Sequence, residues 1–101
     1  MEAARPTCCP HYHEAVELIG RRWTGAIVAV LLEAEPLRFS EIAKAVPELS
    51  DRLLSERMKE LEARGVVERC ADGYALTEMG RALKPAVREL HSWAQSWLVA
   101  G

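Results

Sequence analysis

The sequence predicts a mainly α-helical single domain carrying one small β-hairpin. Three observations lead there. Between Leu37 and Thr77 two short helical patterns are separated by a break at Pro47. An Asp72-Gly73 pair then sits between two short runs of strand-forming residues. A long helical pattern with an apolar seam follows, to about Val99. Helix, turn, second helix and short ribbon, in that order, is the layout of a winged helix-turn-helix. The closing seam adds the expectation that terminal helices pair across a dimer.

Each element has its own signals. Residues 1–8 show no periodicity and read as a flexible tail, leaving 9–101 as the folded domain. A first helix is expected from Pro10 to about Gly20, with Cys9 at the N-cap, proline in the first turn and glycine at the end. Tyr12, Ala15, Val16 and Ile19 recur at helical spacing along it. A second helix, capped by Thr24 and running to Glu33, is apolar nearly all round and so reads as the buried centre. A third is expected from a Ser40 cap to just before Pro47, with Phe39, Ile42, Ala43 and Val46 inward. Ser50 caps the fourth, which runs to about Arg64 and stops at Gly65. Strands follow at Val66–Cys70 and Tyr74–Leu76, joined through Ala71-Asp72-Gly73, where Asp-Gly supplies positive φ. Thr77 then caps one long helix, kinked at Pro85, whose apolar positions are Met79, Leu83, Ala86, Leu90, Trp93 and Trp97.

Composition limits the function classes. A chain of 101 residues is too short for two independent cores. The longest apolar runs, such as Ala26–Leu32, are far below a membrane span. The opening MEAARPTCC has no apolar signal segment, so the cytoplasm is the expected compartment. Three cysteines, two of them adjacent, do not make a disulfide scaffold. The net charge of −2 counts against a nucleic-acid surface, yet phosphate contacts depend on the local field, and a few arginines gathered on one face suffice. No Ser/His/Asp set, phosphate loop or carboxylate pair is legible, so an enzyme is not expected. No cofactor is expected either.

The fourth helix carries the candidate DNA contacts. Leu54, Met58 and Leu61 make its inward stripe, and at about 100° per residue Arg52, Ser55, Glu56, Lys59 and Ala63 lie opposite. Arg52 suits a bidentate contact with guanine, Ser55 a base or phosphate, and Lys59 a phosphate. Glu56 either accepts from a cytosine amino group or repels phosphates. Arg57, at the edge of the stripe, is a phosphate contact or a structural arginine. Ser50, the cap at the helix start, is counted with these DNA contacts. Arg38 and Ser40, before the third helix, either anchor the DNA backbone or are plain loop residues. The competing reading of the fourth helix is a solvated surface, its charges paired as Glu56–Lys59 or Glu60–Arg64.

The segment Cys8-Cys9-Pro10-His11-Tyr12-His13 holds four potential metal ligands, but adjacent cysteines and an i, i+2 histidine pair do not converge on one tetrahedral ion, so no metal site is expected. A thiol at a helix N-terminus is favoured as thiolate, with Arg5, His11 and His13 adding to the effect; Cys9 is then a redox sensor or a plain cap. Cys70 reads as a small packing residue. Trp23, Trp93 and Trp97 read as core or dimer-interface residues rather than a ligand cage.

Three stretches, ELIGRRWT at 17–24, RFSEIAKAVPELSDRLLSERMKELEARGVVER at 38–69 and YALTEMGRALKP at 74–85, resemble the HxlR-type family of bacterial winged-helix regulators, relatives of the MarR-like group. The resemblance implies a transcriptional regulator that binds a pseudo-palindromic double-stranded DNA operator as a homodimer, with a recognition helix from Ser50 to Arg64. It implies a small molecule or an oxidant as effector, since several members sense thiol chemistry at a cysteine before proline, here Cys9. Tyr12, Val16, Leu90, Trp93 and Trp97 are the expected dimer interface. Two departures stand out: the hairpin is short and flanked only by Arg69, and the Cys9-to-Trp23 spacing is one residue longer. The alternative is a winged-helix protein-interaction module without DNA binding, which the acidic balance favours.

Overall fold

Residues 9–99 are described by the computed structural model, and the element order is α1 (Pro10–Ile19), α2 (Thr24–Ala34), α3 (Phe39–Ala45), α4 (Asp51–Ala63), β1 (Val67–Cys70), β2 (Gly73–Leu76), α5 (Glu78–Arg81) and α6 (Lys84–Trp97). The expected tail over 1–8, with Arg5 and Cys8, and the last two positions of the expected domain lie outside the described residues. Among the described residues, no helix is long and apolar enough to cross a membrane.

At α1 the sequence signals hold: Cys9 is the N-cap, Pro10 opens the helix and Gly20 closes it. The N-cap of α2 is Trp23 rather than the expected Thr24. Trp23 adopts a left-handed φ of 75°, which lets the Arg21–Thr24 turn close through a 3.0 Å hydrogen bond from the Thr24 N–H to the Arg21 carbonyl. Thr24 becomes the first helical residue and is buried. Ile27, Val28 and Leu31 are fully buried, confirming α2 as the central helix.

The third helix begins at Phe39, with Arg38 as its cap, so Ser40 lies in the first turn and is exposed. Glu41 takes over the capping role by accepting from the Arg38 N–H at 2.8 Å. The start is set from outside the helix: Leu37 pairs with Tyr74 through hydrogen bonds of 2.9 and 2.7 Å, holding the chain extended until α3 starts. That bridge also accounts for Gly73. The hairpin loop is Ala71-Asp72 alone, with Cys70 opposite Gly73 in the register. Gly73 opens β2 at φ 129°, and a side chain there would collide with the Leu37 carbonyl. The glycine thus serves the third extended segment as well as the turn. The first strand begins at Val67, one residue later than expected, because Val66 closes the end of α4 by donating to the Leu61 carbonyl at 2.9 Å.

The single kinked terminal helix is corrected to two. Thr77 caps α5 as expected, its hydroxyl accepting from the Gly80 N–H at 3.1 Å. That helix stops at Arg81, and α6 restarts at Lys84 with Pro85 in its first turn. Proline has no N–H for the Arg81 carbonyl and its ring clashes with the preceding turn, so it opens a helix here instead of bending one.

Leu54, Met58 and Leu61 of α4 meet Ile27, Leu31, Ile42 and Leu76 in one core cluster. Leu83 and Val87 seat the start of α6 against it, while Leu90, Trp93, Trp97 and Leu98 remain exposed. The radius of gyration is 15.7 Å, above the roughly 13 Å of a compact 100-residue domain. An apolar helix half left standing in solvent agrees with that excess.

Glu35 ties the end of α2 to β2 and α5. It accepts from the Leu76 N–H at 2.8 Å and from the Arg81 guanidinium at 3.0 and 3.1 Å. Burial opposes ionisation, but the hydrogen bonds from Arg81 and Leu76 and the charge of Arg81 outweigh it, so the carboxyl sits below its ordinary value. A depressed folded pKa stabilises the fold above the unfolded value, about 4.3, and that contribution disappears as pH falls through the lower folded value. Glu35→Gln is therefore expected to be less stable than wild type at neutral pH, with the gap closing in acid. Urea unfolding across pH checks this, and a gap independent of pH would contradict it.

Candidate nucleic-acid interface

The start of α4 is built by Ser50, whose hydroxyl accepts from the Leu53 N–H at 3.1 Å. This fixes the first turn, and Arg52 projects from it exposed. Glu56 and Lys59 are also exposed and Ser55 is half-buried, so the outward face expected from helical spacing is the outward face observed. The expected Glu56–Lys59 and Glu60–Arg64 pairs are not formed among the described residues. Instead Arg64 pairs with Glu14 of α1, Glu60 with Arg21 and Arg57, and Glu62 with Arg69. The charges of α4, four cations and four anions when its C-cap Arg64 is counted, are therefore unevenly distributed. Its inner and flanking charges are used within the fold, while Arg52, Glu56 and Lys59 enter no ion pair among the described residues.

Arg57 is the correction to the candidate set. It is 8% exposed, and its Nε donates to the Arg22 carbonyl at 2.9 Å. Of the two roles left open by its position at the edge of the stripe, the structural one is observed. Its buried guanidinium is turned into the fold, away from the exposed Arg52, Glu56 and Lys59.

A second cluster lies at the hairpin. Arg69 stacks over the Tyr74 ring at 5.4 Å, and Arg38 lines the same shallow groove with Arg69, Cys70 and Tyr74. Sequence reasoning had Arg38 beside Ser40 only. The Leu37–Tyr74 bridge carries it to the hairpin, and a single bridge leaves no periodic signal to read. Cys70, expected to pack, is exposed on β1. Arg38 and Arg69 thus share one surface beside the hairpin, Arg69 being paired with Glu62 at 3.4 Å.

The other expected sites lie on α1 and α6. Cys9 is exposed at the N-terminus of α1, and the His13 N–H donates to its carbonyl at 2.9 Å. His13 also pairs with Glu17 at 3.1 Å. Tyr12 and Val16 of α1 and Leu90, Trp93 and Trp97 of α6 are all exposed, and both helices rest on α2. Trp23 packs at the core margin, with Arg22 5.6 Å above its ring.

Comparison with known proteins agrees with this arrangement. The Bacillus subtilis protein YvaP, an uncharacterized HTH-type transcriptional regulator, is 44% identical over 97 residues, covering 89% of this chain and 89% of YvaP. The HTH-type transcriptional regulator YodB of the same organism is 39% identical over 102 residues, covering 94% of this chain and 90% of YodB. Its quinone-bound crystal structure matches with a TM-score of 0.81 at 43% identity, covering 88% of this chain and 100% of that one. The reduced form of the redox regulator HypR matches with a TM-score of 0.77 at 30% identity, covering 85% and 91%. Residues 18–101 match the family model described as HxlR-like helix-turn-helix, a span that takes in α2 through α6. The chain belongs to the HxlR-like helix-turn-helix family of transcriptional regulators.

Proposed function

We propose that this chain is a cytoplasmic regulator that binds a pseudo-palindromic operator as a homodimer, one α4 in each of two successive major grooves. The observation that carries this reading is the division of charge on α4: its inner cations are held within the fold, and Arg52 and Lys59 stand outward and enter no ion pair among the described residues. Arg52, in the first turn of α4, is placed to read a guanine edge; Lys59, two turns further, suits the phosphate chain. Ser50 and the α4 N-terminus, with Arg38 and Ser40 at the start of α3, supply further backbone contacts. Tyr12, Val16, Leu90, Trp93 and Trp97 form the subunit interface. Since YodB takes a quinone and HypR is a redox regulator, an electrophile or oxidant acting at Cys9 is the effector we assign.

Selection of the preferred site from a random DNA pool, followed by two substitutions, tests the DNA reading. Arg52→Ala is expected to lower affinity for the selected site by about 1–3 kcal/mol and to relax preference at one position per half-site. Lys59→Ala is expected to weaken all sequences alike and to reduce the salt slope by about one. Equal losses from both substitutions on selected and random DNA would sink the assignment.

A further inference from the structure

Arg57 is a cation that the DNA-facing helix withholds from DNA. Besides its bond to the Arg22 carbonyl, its Nη1 lies 3.4 Å from both carboxylate oxygens of Glu60. Glu60 also meets Arg21 at 3.3 Å, and one turn later Arg64 pairs with Glu14. Beyond the Arg57–Glu60 pair itself, these ties all run from α4 to α1 or to the turn that follows it.

Apolar contacts through Leu54, Met58 and Leu61 set which face of α4 turns inward, but such contacts are non-directional and do not by themselves fix the roll finely. A hydrogen bond to a fixed acceptor supplies direction. The Arg22 carbonyl is such an acceptor, because it lies in the turn closed between Arg21 and Thr24 and followed by the left-handed Trp23. A buried guanidinium carries a desolvation penalty that an apolar side chain in its place avoids, so stability alone does not account for it.

We propose that Arg57 and Glu60 are positioning residues of the recognition helix: they lock its roll against the α1–α2 turn and so set base preference without touching DNA. The inference rests on the reading of α4 as the helix that enters the groove. Productive geometry at such a site tolerates only about 10–20°, and a larger roll carries Arg52 off its base edge.

The test compares wild type with Arg57→Lys, Glu60→Gln and Arg21→Gln by site selection from a random pool. It also measures affinity for the wild-type site and for random duplex across salt concentrations, with thermal unfolding as a check on folding. The expected result is a loss of roughly tenfold on the wild-type site, the scale of losing one bidentate base contact. Random-duplex affinity and salt slope stay unchanged, and base preference shifts at the position read by Arg52. Arg21→Gln shifts it in the same direction from the other side of the latch. Glu60 is half-buried, so its variant serves where Arg57→Lys unfolds. Unchanged base preference in a folded Glu60→Gln variant overturns the inference. So does a uniform loss for Arg57→Lys on the wild-type site and random duplex alike, which would make Arg57 a phosphate contact. Wild type without affinity for DNA would sink the groove reading itself, a different failure from unchanged preference in the variants.

Discussion

Replacing Trp93 and Trp97 together by alanine is expected to leave a monomer and to lower operator affinity by on the order of 10²–10⁴, the range over which linked sites exceed single ones. The two indoles are 52% and 74% exposed on an α6 that has no buried residue. Leu90 at 60% continues the stripe along α6, and Tyr12 at 66% and Val16 at 48% make a second exposed apolar pair on α1. Single exposed apolar residues are ordinary, but a contiguous stripe with aromatic anchors marks an interface. Two half-sites held by one dimer share the entropy of a single association, so loss of the dimer should cost far more than any one base contact. The core lies elsewhere, around Ile27, Leu31 and Leu54, so the variant should keep its helical content. Sedimentation alongside DNA binding checks both parts. A wild-type monomer at micromolar concentration would contradict the interface.

Cys9→Ser is expected to abolish the response to oxidant while leaving reduced binding intact. In wild type, mild peroxide or diamide should weaken operator binding about 5–150-fold, the usual span of a coupling between two sites, and thiol reduction should restore it. The position supports this: Cys9 is exposed at the N-terminus of α1, one turn before the Tyr12 and Val16 surface. A sulfenic acid or disulfide there adds polarity or a covalent tie beside the subunit seam, and the spacing of the two α4 helices then departs from successive grooves. Equal responses in wild type and Cys9→Ser would make the cysteine structural and leave a small molecule as the effector.

The parts of the fold legible in the sequence were those with local causes. Ser50, Gly65 and Thr77 mark their helix ends through side-chain or backbone chemistry confined to one turn. Leu54, Met58 and Leu61 announce their shared face by spacing alone. What stayed hidden has causes distant in the chain. The left-handed Trp23 carries no glycine to flag it, the start of α3 depends on Leu37 meeting Tyr74, and Gly73 is needed for a neighbour 36 positions earlier. Pro85 was visible, but whether it kinks a helix or opens a new one depends on where α5 stops. The candidate site divided in the same way. Arg52, Glu56 and Lys59 are exposed as their helical spacing predicts and Ser55 is half-buried, whereas the fate of Arg57 turned on a carbonyl 35 residues away.

Footprinting of the selected operator, with methylation interference at guanine N7, addresses the groove reading most directly. Two protected major-groove blocks are predicted, centred about 10 base pairs or a multiple of that apart, with interference at one guanine in each half-site that disappears in Arg52→Ala. A single protected block, or salt-sensitive binding with no preferred site and no guanine interference, would contradict a dimer that reads bases through α4.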